Sequence, residues 1–231
     1  ASESFRAYFA DKVRGAVIRL SMDGLTAISD HGMKDWFRDN LKLNNKLVGS
    51  YDDKKDEYNI TLQQTTEQTP KTVSFREDVR GWVSFKSFVP ENAISCSNEY
   101  YTFLDGKLWR HHVEGTITNP HPRNTFYNTY TNTSFTAILN DVPGSVKSFN
   151  TINYEGSQSR VKQFSIDIPT GFTNSQPYNL MPKDGWYVES IFTDQESGHI
   201  DEFIEKEGKW FNYIKGISTQ HFTDTDSNGN P

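Results

Sequence analysis

Cysteine is almost absent from this 231-residue chain, which contains one, Cys96. A single cysteine excludes an internal disulfide, and because no Cys-His signature surrounds it we interpret Cys96 as a structural thiol. Long apolar runs are also missing, since none approaches the ~18 residues needed to span a bilayer. We therefore expect no membrane partner.

Clustered positive charge is equally scarce. The formal net charge is −6, and no basic run is longer than Lys54-Lys55. A nucleic-acid-binding surface needs clustered Lys and Arg, so we expect no nucleic-acid partner.

Catalytic signatures are lacking as well. The chain has no G-x-S-x-G sequence, no Gly-rich phosphate loop and no H-E-x-x-H. Carboxylates are plentiful, but they fall in predicted turns, where a solvated role is the default. We expect no enzymatic activity, no catalytic residue and no cofactor.

Aromatic residues are abundant, at 14% of the chain, and a short segment occurs twice. Aromatic and β-branched side chains favour strands. Residues 77–83 repeat the pattern of residues 11–17 at an offset of 66 residues, and both copies contain Val-Arg-Gly. Each copy has an aromatic-rich run before it and an alternating run after it. The pattern predicts strand, polar turn and strand twice over, which is typical of stacked β-units.

The first half of the chain is predicted to be a series of antiparallel hairpins. The turns Asp23-Gly24 and Asp105-Gly106 have the composition that tight hairpins need. We expect strands at residues 5–10, 16–21, 25–29, 46–51, 57–62, 100–104 and 107–113, with the second copy of the repeat at 72–88.

One helix is predicted, at about residues 31–43. Met33, Trp36, Phe37 and Leu41 lie at positions i, i+3, i+4 and i+8, which form a single apolar stripe. We expect this helix to be inserted between strands and to pack on the core.

The composition changes near residue 114, and further strands are expected after it. They are predicted at residues 125–130, 134–139, 145–154, 163–168, 186–193, 203–206 and 209–214, with a long polar loop at 169–184. Loops of that length are commonly functional or mobile. The chain begins with Ala1 and not with Met, so we expect a segment of a longer protein or a processed one.

Two resemblances follow from these residues. Residues 8–11 with 17–25 resemble a β-propeller blade, in which a strand, a charged turn, a strand and an Asp-Gly turn recur. Residues 49–59, 83–88, 146–158 and 205–216 resemble parts of large virion structural proteins of tailed bacteriophages, including those of crAss-like phages and of phages of marine bacteria. The resemblance covers about residues 5–216 and implies no catalytic residues.

The predicted fold is mainly β and consists of antiparallel hairpins. We expect β-propeller-like blades with one inserted helix over residues 1–118, and a second β-rich unit over residues 119–231.

Metal binding has two weak candidates. His111 and His112 are adjacent on a predicted strand and point to opposite faces, so they cannot readily share one ion even with His121 nearby. Asp224, Asp226 and Asn228 match the first half of a calcium loop, but the chain stops at Pro231 before a bidentate Glu could follow. We therefore assign no metal and keep these three residues as a calcium candidate only.

Adjacent aromatic pairs are the better functional lead. One member of each pair should face the core while the other lies on a surface, where aromatics serve as interface anchors or sugar-stacking platforms. The interface candidates are Trp109, Tyr127, Trp186 and Trp210.

These observations predict a structural component of a bacteriophage virion, in the tail or portal-proximal assembly. We expect it to act through interfaces with other virion proteins in a symmetric assembly. A carbohydrate- or receptor-binding adhesin and a polysaccharide hydrolase are the alternatives.

Overall fold

The structure, a computed structural model, describes residues 1–63, 69–115, 123–161, 185–194 and 196–216. These residues are mainly β, with antiparallel sheets and one α-helix. No helix in the described part of the chain is long and apolar enough to cross a membrane. The mainly β, antiparallel fold with a single helix is therefore confirmed.

The chain divides into two compact units, Ala1–Ala137 and Ile138–Pro231. This division falls later than the predicted boundary between residues 118 and 119, which stays a prediction.

The first unit begins with a three-stranded sheet in the order β1-β2-β3. It is followed by a four-stranded sheet in the order β4-β5-β6-β7, a three-stranded sheet in the order β10-β9-β8 and a short hairpin β11-β12. The strands are β1 Ala7–Asp11, β2 Ala16–Ser21, β3 Gly24–Ala27, β4 Leu47–Asp52, β5 Glu57–Leu62, β6 Lys71–Arg76, β7 Gly81–Lys86, β8 Asn92–Cys96, β9 Glu99–Leu104, β10 Lys107–Arg110, β11 Thr125–Phe126 and β12 Thr129–Tyr130.

Both copies of the sequence repeat form hairpins, as predicted. β1 pairs with β2 around a turn at residues 12–15, and β6 pairs with β7 around a turn at residues 77–80. The last turn residue has a left-handed backbone in each copy, with φ +69° at Gly15 and +49° at Arg80. Equivalent turn positions are therefore 65 residues apart, from 15 to 80, whereas the sequence repeat is offset by 66.

The helix α1, Lys34–Leu41, confirms the predicted element but is shorter than residues 31–43. A 3-10 turn at Ile28–Asp30 precedes it. The Asn44 side chain donates to the carbonyl of Asn40 at 2.7 Å, so it satisfies a carbonyl at the end of the helix.

The apolar stripe of α1 faces the core of the first unit. Phe37 and Leu41 are fully buried, while Met33 and Trp36 are partly buried against the same cluster. The cluster draws on the first sheet, the helix and one face of the four-stranded sheet: Tyr8, Val17, Ile28, Phe37, Leu41, Tyr58, Ile60, Leu62, Val73 and Phe75. Burying each of these large side chains contributes about 1.5–3 kcal/mol.

The opposite face of the four-stranded sheet carries a buried polar layer. The hydroxyls of Thr61 and Thr72 hydrogen-bond at 2.8 Å, and Thr72 Oγ1 also donates to the Phe88 carbonyl at 2.6 Å. Ser50 and Tyr100 join this sheet to β9 through a 2.7 Å hydrogen bond. Because each hydroxyl has a partner, the layer is buried without the cost of unsatisfied polar groups.

The second unit contains two three-stranded sheets, in the orders β13-β17-β16 and β14-β15-β18. Its strands are β13 Thr151–Tyr154, β14 Val188–Phe192, β15 Ser197–Ile200, β16 Ile204–Lys206, β17 Lys209–Tyr213 and β18 Lys215–Gly216. Ile200, Phe203 and Trp210 form its buried core.

Several predicted elements differ from the structure. Residues 134–139 have no regular secondary structure, and within the predicted strand 145–154 only Thr151–Tyr154 is a strand. The predicted strand at 163–168 and the predicted loop at 169–184 lie outside the described residues. The described residues form no closed propeller or barrel, so the arrangement of the strands as propeller blades stays a prediction.

Candidate interface surfaces and polar networks

One face of the sheet formed by β8, β9 and β10 is apolar and exposed. Strand periodicity directs alternate residues to this face, and Ile94, Phe103 and Leu108 on it are 53%, 39% and 59% exposed. Phe103 lies directly opposite Leu108 across the β9-β10 pair, and Tyr101 lies opposite Ile94 across β8-β9. These four residues are called the β8-β10 face.

Charged residues lie at one end of the β8-β10 face. The Glu99 carboxylate accepts hydrogen bonds from Arg110 at 2.9 Å and from Lys54 at 3.2 Å. The bond from Arg110 is the main cause that lowers the pKa of Glu99. An apolar centre with charged groups at its edge is the composition of a protein–protein interface.

Two of the interface candidates, Trp109 and Tyr127, contact each other. Their rings pack edge to face with centroids 5.3 Å apart. The Tyr127 hydroxyl donates to Thr102 Oγ1 at 2.9 Å, and both rings are half-buried. They lie on the inward side of the β8-β10 sheet, so they support the sheet from behind the exposed face.

The two histidines at the end of β10 have different surroundings. His111 is buried and lies 2.8 Å from Thr102 Oγ1 through its Nε2 atom. His112 is half-buried and its Nε2 atom lies 2.5 Å from the carboxylate of Asp52. Among the described residues no cluster of His, Cys, Asp and Glu could hold a metal ion, and His121 lies outside those residues.

Burial controls the protonation of His111. Burial, reinforced by the neighbouring His112, lowers the pKa of His111 to about 4, while Asp52 acts in the opposite direction. The imidazole is therefore neutral at pH 7, and its Nε2 atom can accept a hydrogen bond from the Thr102 hydroxyl while Thr102 Oγ1 accepts one from the Tyr127 hydroxyl. These hydrogen bonds join Thr102, on the inward side of the sheet, to His111 and Tyr127.

The low pKa of His111 predicts a loss of stability in acid. An unfolded His has a pKa of about 6.5, so the unfolded state binds more protons between pH 6.5 and 4. Stability therefore falls as the pH drops through this range, by roughly 2–3 kcal/mol at pH 4.5. Urea unfolding of the wild type and of His111→Gln at pH 7.5 and 4.5 measures this, because the variant lacks the titrating group. Equal losses in the two proteins would contradict the prediction.

The other two interface candidates lie in the second unit. Trp186 is 36% exposed, beside Tyr187 at 52%. Trp210 is only 2% exposed, and its indole N–H donates to the Gly156 carbonyl at 3.2 Å. The Trp210 ring is thus core, and its surface is not offered to a partner. The calcium candidate Asp224, Asp226 and Asn228 lies outside the described residues.

A polar cleft lies where the two copies of the repeat meet. Glu77, from the second turn, accepts hydrogen bonds from the Tyr8 hydroxyl at 2.8 Å and from Arg19 at 2.5 Å. Burial, followed by the hydrogen bond to Glu77, raises the pKa of Tyr8, which keeps the phenol a donor. The cleft beside this network has a volume of about 490 Å³, and Asp23 and Arg80 also line it. Because Glu77 of the second copy binds one residue in each strand of the β1-β2 hairpin, we infer that this network holds the two repeat copies together.

The β8-β10 face was not identified from the sequence because β8 was not predicted. The segment Asn92–Cys96 has only one residue that favours strands by composition, Ile94. Alternation in β9 and β10 was the usable signal: Tyr101, Phe103 and Leu108 share one side once the register around Asp105-Gly106 is fixed.

Comparison with known protein families gives a match to part of the chain. Residues 121–216 match the family described as the Crassvirus muzzle protein C-terminal domain, which is 96 of the 231 residues. No curated protein and no solved structure matches the chain. The match supports a structural protein of a crAss-like phage, and it points to a component of the virion.

Proposed function

We propose that the chain is a structural component of the tail or portal-proximal assembly, where it acts through interfaces with other virion proteins. The observation that carries the proposal is the β8-β10 face, a row of exposed apolar side chains on a three-stranded antiparallel sheet. The family match over residues 121–216 supports the setting in a phage particle.

The composition of the face favours a protein partner. Contiguous exposed apolar surface of this kind marks interaction sites, and the Glu99, Arg110 and Lys54 charges beside it can fix the orientation of a partner. Behind the face, the Thr102, His111 and Tyr127 hydrogen bonds hold the sheet in place. A rigid face binds with a small entropic cost.

A charge placed in the centre of the face is expected to block assembly. Phe103→Asp would have to be desolvated against an apolar partner, which costs several kcal/mol. We expect its incorporation into particles to fall at least about tenfold, since 1.4 kcal/mol already corresponds to a factor of ten. The measurement is quantitative immunoblotting of purified particles from cells that supply the variant in place of the natural chain.

Val13→Asp is the matched control for this experiment. Val13 is 85% exposed in the turn at residues 12–15, away from the β8-β10 sheet, so the same chemical change should leave incorporation unaltered. Normal incorporation of a folded Phe103→Asp variant would overturn the role of the face. The adhesin and the hydrolase stay predictions, because no contact described above favours either.

A further inference from the structure

Residues 134–139 have the composition of a β-strand but lie exposed without regular secondary structure. The segment contains Phe135, Thr136 and Ile138, which favour strands, and it has no charged residue. Ile138 and Leu139 are 89% and 60% exposed. An uncharged, strand-forming segment in water is an aggregation hazard unless another chain covers it.

The same chain carries a sheet edge of equal length that is open among the described residues. β7, Gly81–Lys86, has six residues and ends the four-stranded sheet, with β6 as its hydrogen-bonded neighbour. Its one charged residue, Lys86, is at the end of the strand, and Val83 and Phe85 are 40% and 56% exposed. Edge strands normally avoid pairing with other chains by being short, by carrying charges, by a bulge or by being covered. β7 carries a bulge at Val83, where its register against β6 shifts, but it is not short and its interior has no charge.

Four other outer strands in the described part of the first unit are covered or short. On β4, the opposite edge of the sheet, the Tyr51 carbonyl accepts a 2.7 Å hydrogen bond from Ser95 of β8. β1 is bridged by Ser2, and Tyr8 N–H donates to the Ala1 carbonyl at 2.7 Å. β3 and β10 have four residues each, and β10 has a charge at both ends.

We propose that residues 134–139 are a donor strand that adds to the β7 edge of a second copy of this chain. The added strand would satisfy the outward backbone groups of β7 and cover Val83 and Phe85, which is the physics of β-strand addition. This inference rests on the proposed structural function and specifies one of its interfaces.

A second copy is the favoured occupant because donor and acceptor occur on one chain and match. Both have six residues, and their interiors are uncharged. The same strand pairing would then cover both residues 134–139 and the β7 edge in every copy, and its repetition around an axis would close a ring. In the described structure β7 is not paired with residues 134–137 of its own chain.

Disulfide trapping between two differently sized tagged proteins tests the contact. One protein carries Val83→Cys, and the other carries Thr136→Cys or Ala137→Cys, all in a Cys96→Ser background because Cys96 is a free exposed thiol. Adjacent strand residues point to opposite faces, so one of the two donor variants should form a heterodimer with Val83→Cys. The control acceptor is Thr26→Cys on the edge strand β3. Equal trapping at Thr26 and Val83 would overturn the proposal.

A proline substitution provides an independent measurement. Thr136→Pro removes a backbone N–H, which an added strand needs, and the exposed segment has no regular structure of its own to lose. We expect an unchanged melting temperature and self-association at least about tenfold weaker by analytical ultracentrifugation. Thr133→Pro, outside the donor segment, is the control and should associate normally.

The outcomes separate this inference from the proposed function. A purified chain that stays monomeric, or Thr136→Pro that associates as well as the wild type, overturns the donor strand even if the chain is found in virions. Self-association through β7 by a chain that is absent from virions supports the donor strand and overturns the proposed function.

Discussion

We expect Gly15→Ala to lower the free energy of unfolding by about 3 kcal/mol, because a left-handed alanine costs roughly 1–2 kcal/mol and the rest comes from a clash. Gly15 has φ +69°, and a Cβ atom there would lie 2.6 Å from the Cα atom of Arg38 in α1. Since that neighbour is backbone, relief requires the helix to move away from the turn. Urea unfolding monitored by circular dichroism measures the loss.

The repeat supplies a matched control for this substitution. Gly81 is aligned with Gly15 in the sequence repeat but lies at the start of β7, without a positive φ. An added Cβ atom there would be 3.6 Å from the Val79 carbonyl oxygen, an ordinary contact. We expect Gly81→Ala to change stability by less than about 0.5 kcal/mol. Equal losses for the two glycines would contradict the assignment of Gly15 as the conformationally required one.

We expect Glu77→Ala to have the second large effect, because loss of the ion pair with Arg19 should cost about 3 kcal/mol of stability. Glu77 and Arg19 are 15% and 20% exposed, so removing the carboxylate leaves a largely buried guanidinium without its ion-pair partner. The Arg19 Nε atom already has no hydrogen-bond partner among the described residues. The buried Tyr8 hydroxyl loses its acceptor as well, which adds about 1 kcal/mol. Thermal and urea unfolding at pH 7 measure the change.

The neighbouring residue in the turn is the control. Asp78 pairs with Arg76, but the two side chains are 59% and 39% exposed, and exposed ion pairs contribute about 0–1 kcal/mol. Asp78→Ala should therefore cost less than about 1 kcal/mol. If Glu77→Ala is as mild as Asp78→Ala, the two repeat copies are not held together by this network.

Local signals were sufficient where one segment determines its own structure. The spacing of Met33, Trp36, Phe37 and Leu41 predicted the helix, and Asp105-Gly106 predicted the hairpin that became β9 and β10. In both cases the periodicity and the turn residues lie close together in the chain. The contacts that form them need no knowledge of distant residues.

The register of the repeat could not be predicted in the same way. The sequence aligns Gly15 with Gly81, whereas the structure aligns Gly15 with Arg80 as the left-handed residue of each turn. A register shift between Ser74 and Phe75 accompanies this difference of one residue. Such a bulge depends on how β6 packs between its neighbours, which the turn sequence does not encode.

Long-range packing also determines which member of an adjacent aromatic pair is buried and which is exposed. Strand alternation predicts that one member of Trp210-Phe211 is buried, but it does not indicate which one. The structure buries Trp210 and leaves Phe211 half-exposed. Similarly, the strand composition of residues 134–139 could not reveal that they pair with no strand in the described part of the chain, because pairing depends on which edges are open.

Cryo-EM with mass spectrometry of purified particles of the phage that encodes the chain tests whether the chain is a virion component. We expect the chain in a fixed copy number, with density in the tail or portal-proximal assembly and with Phe103 and Leu108 of the β8-β10 face buried against a protein. Absence of the chain from intact virions would contradict it.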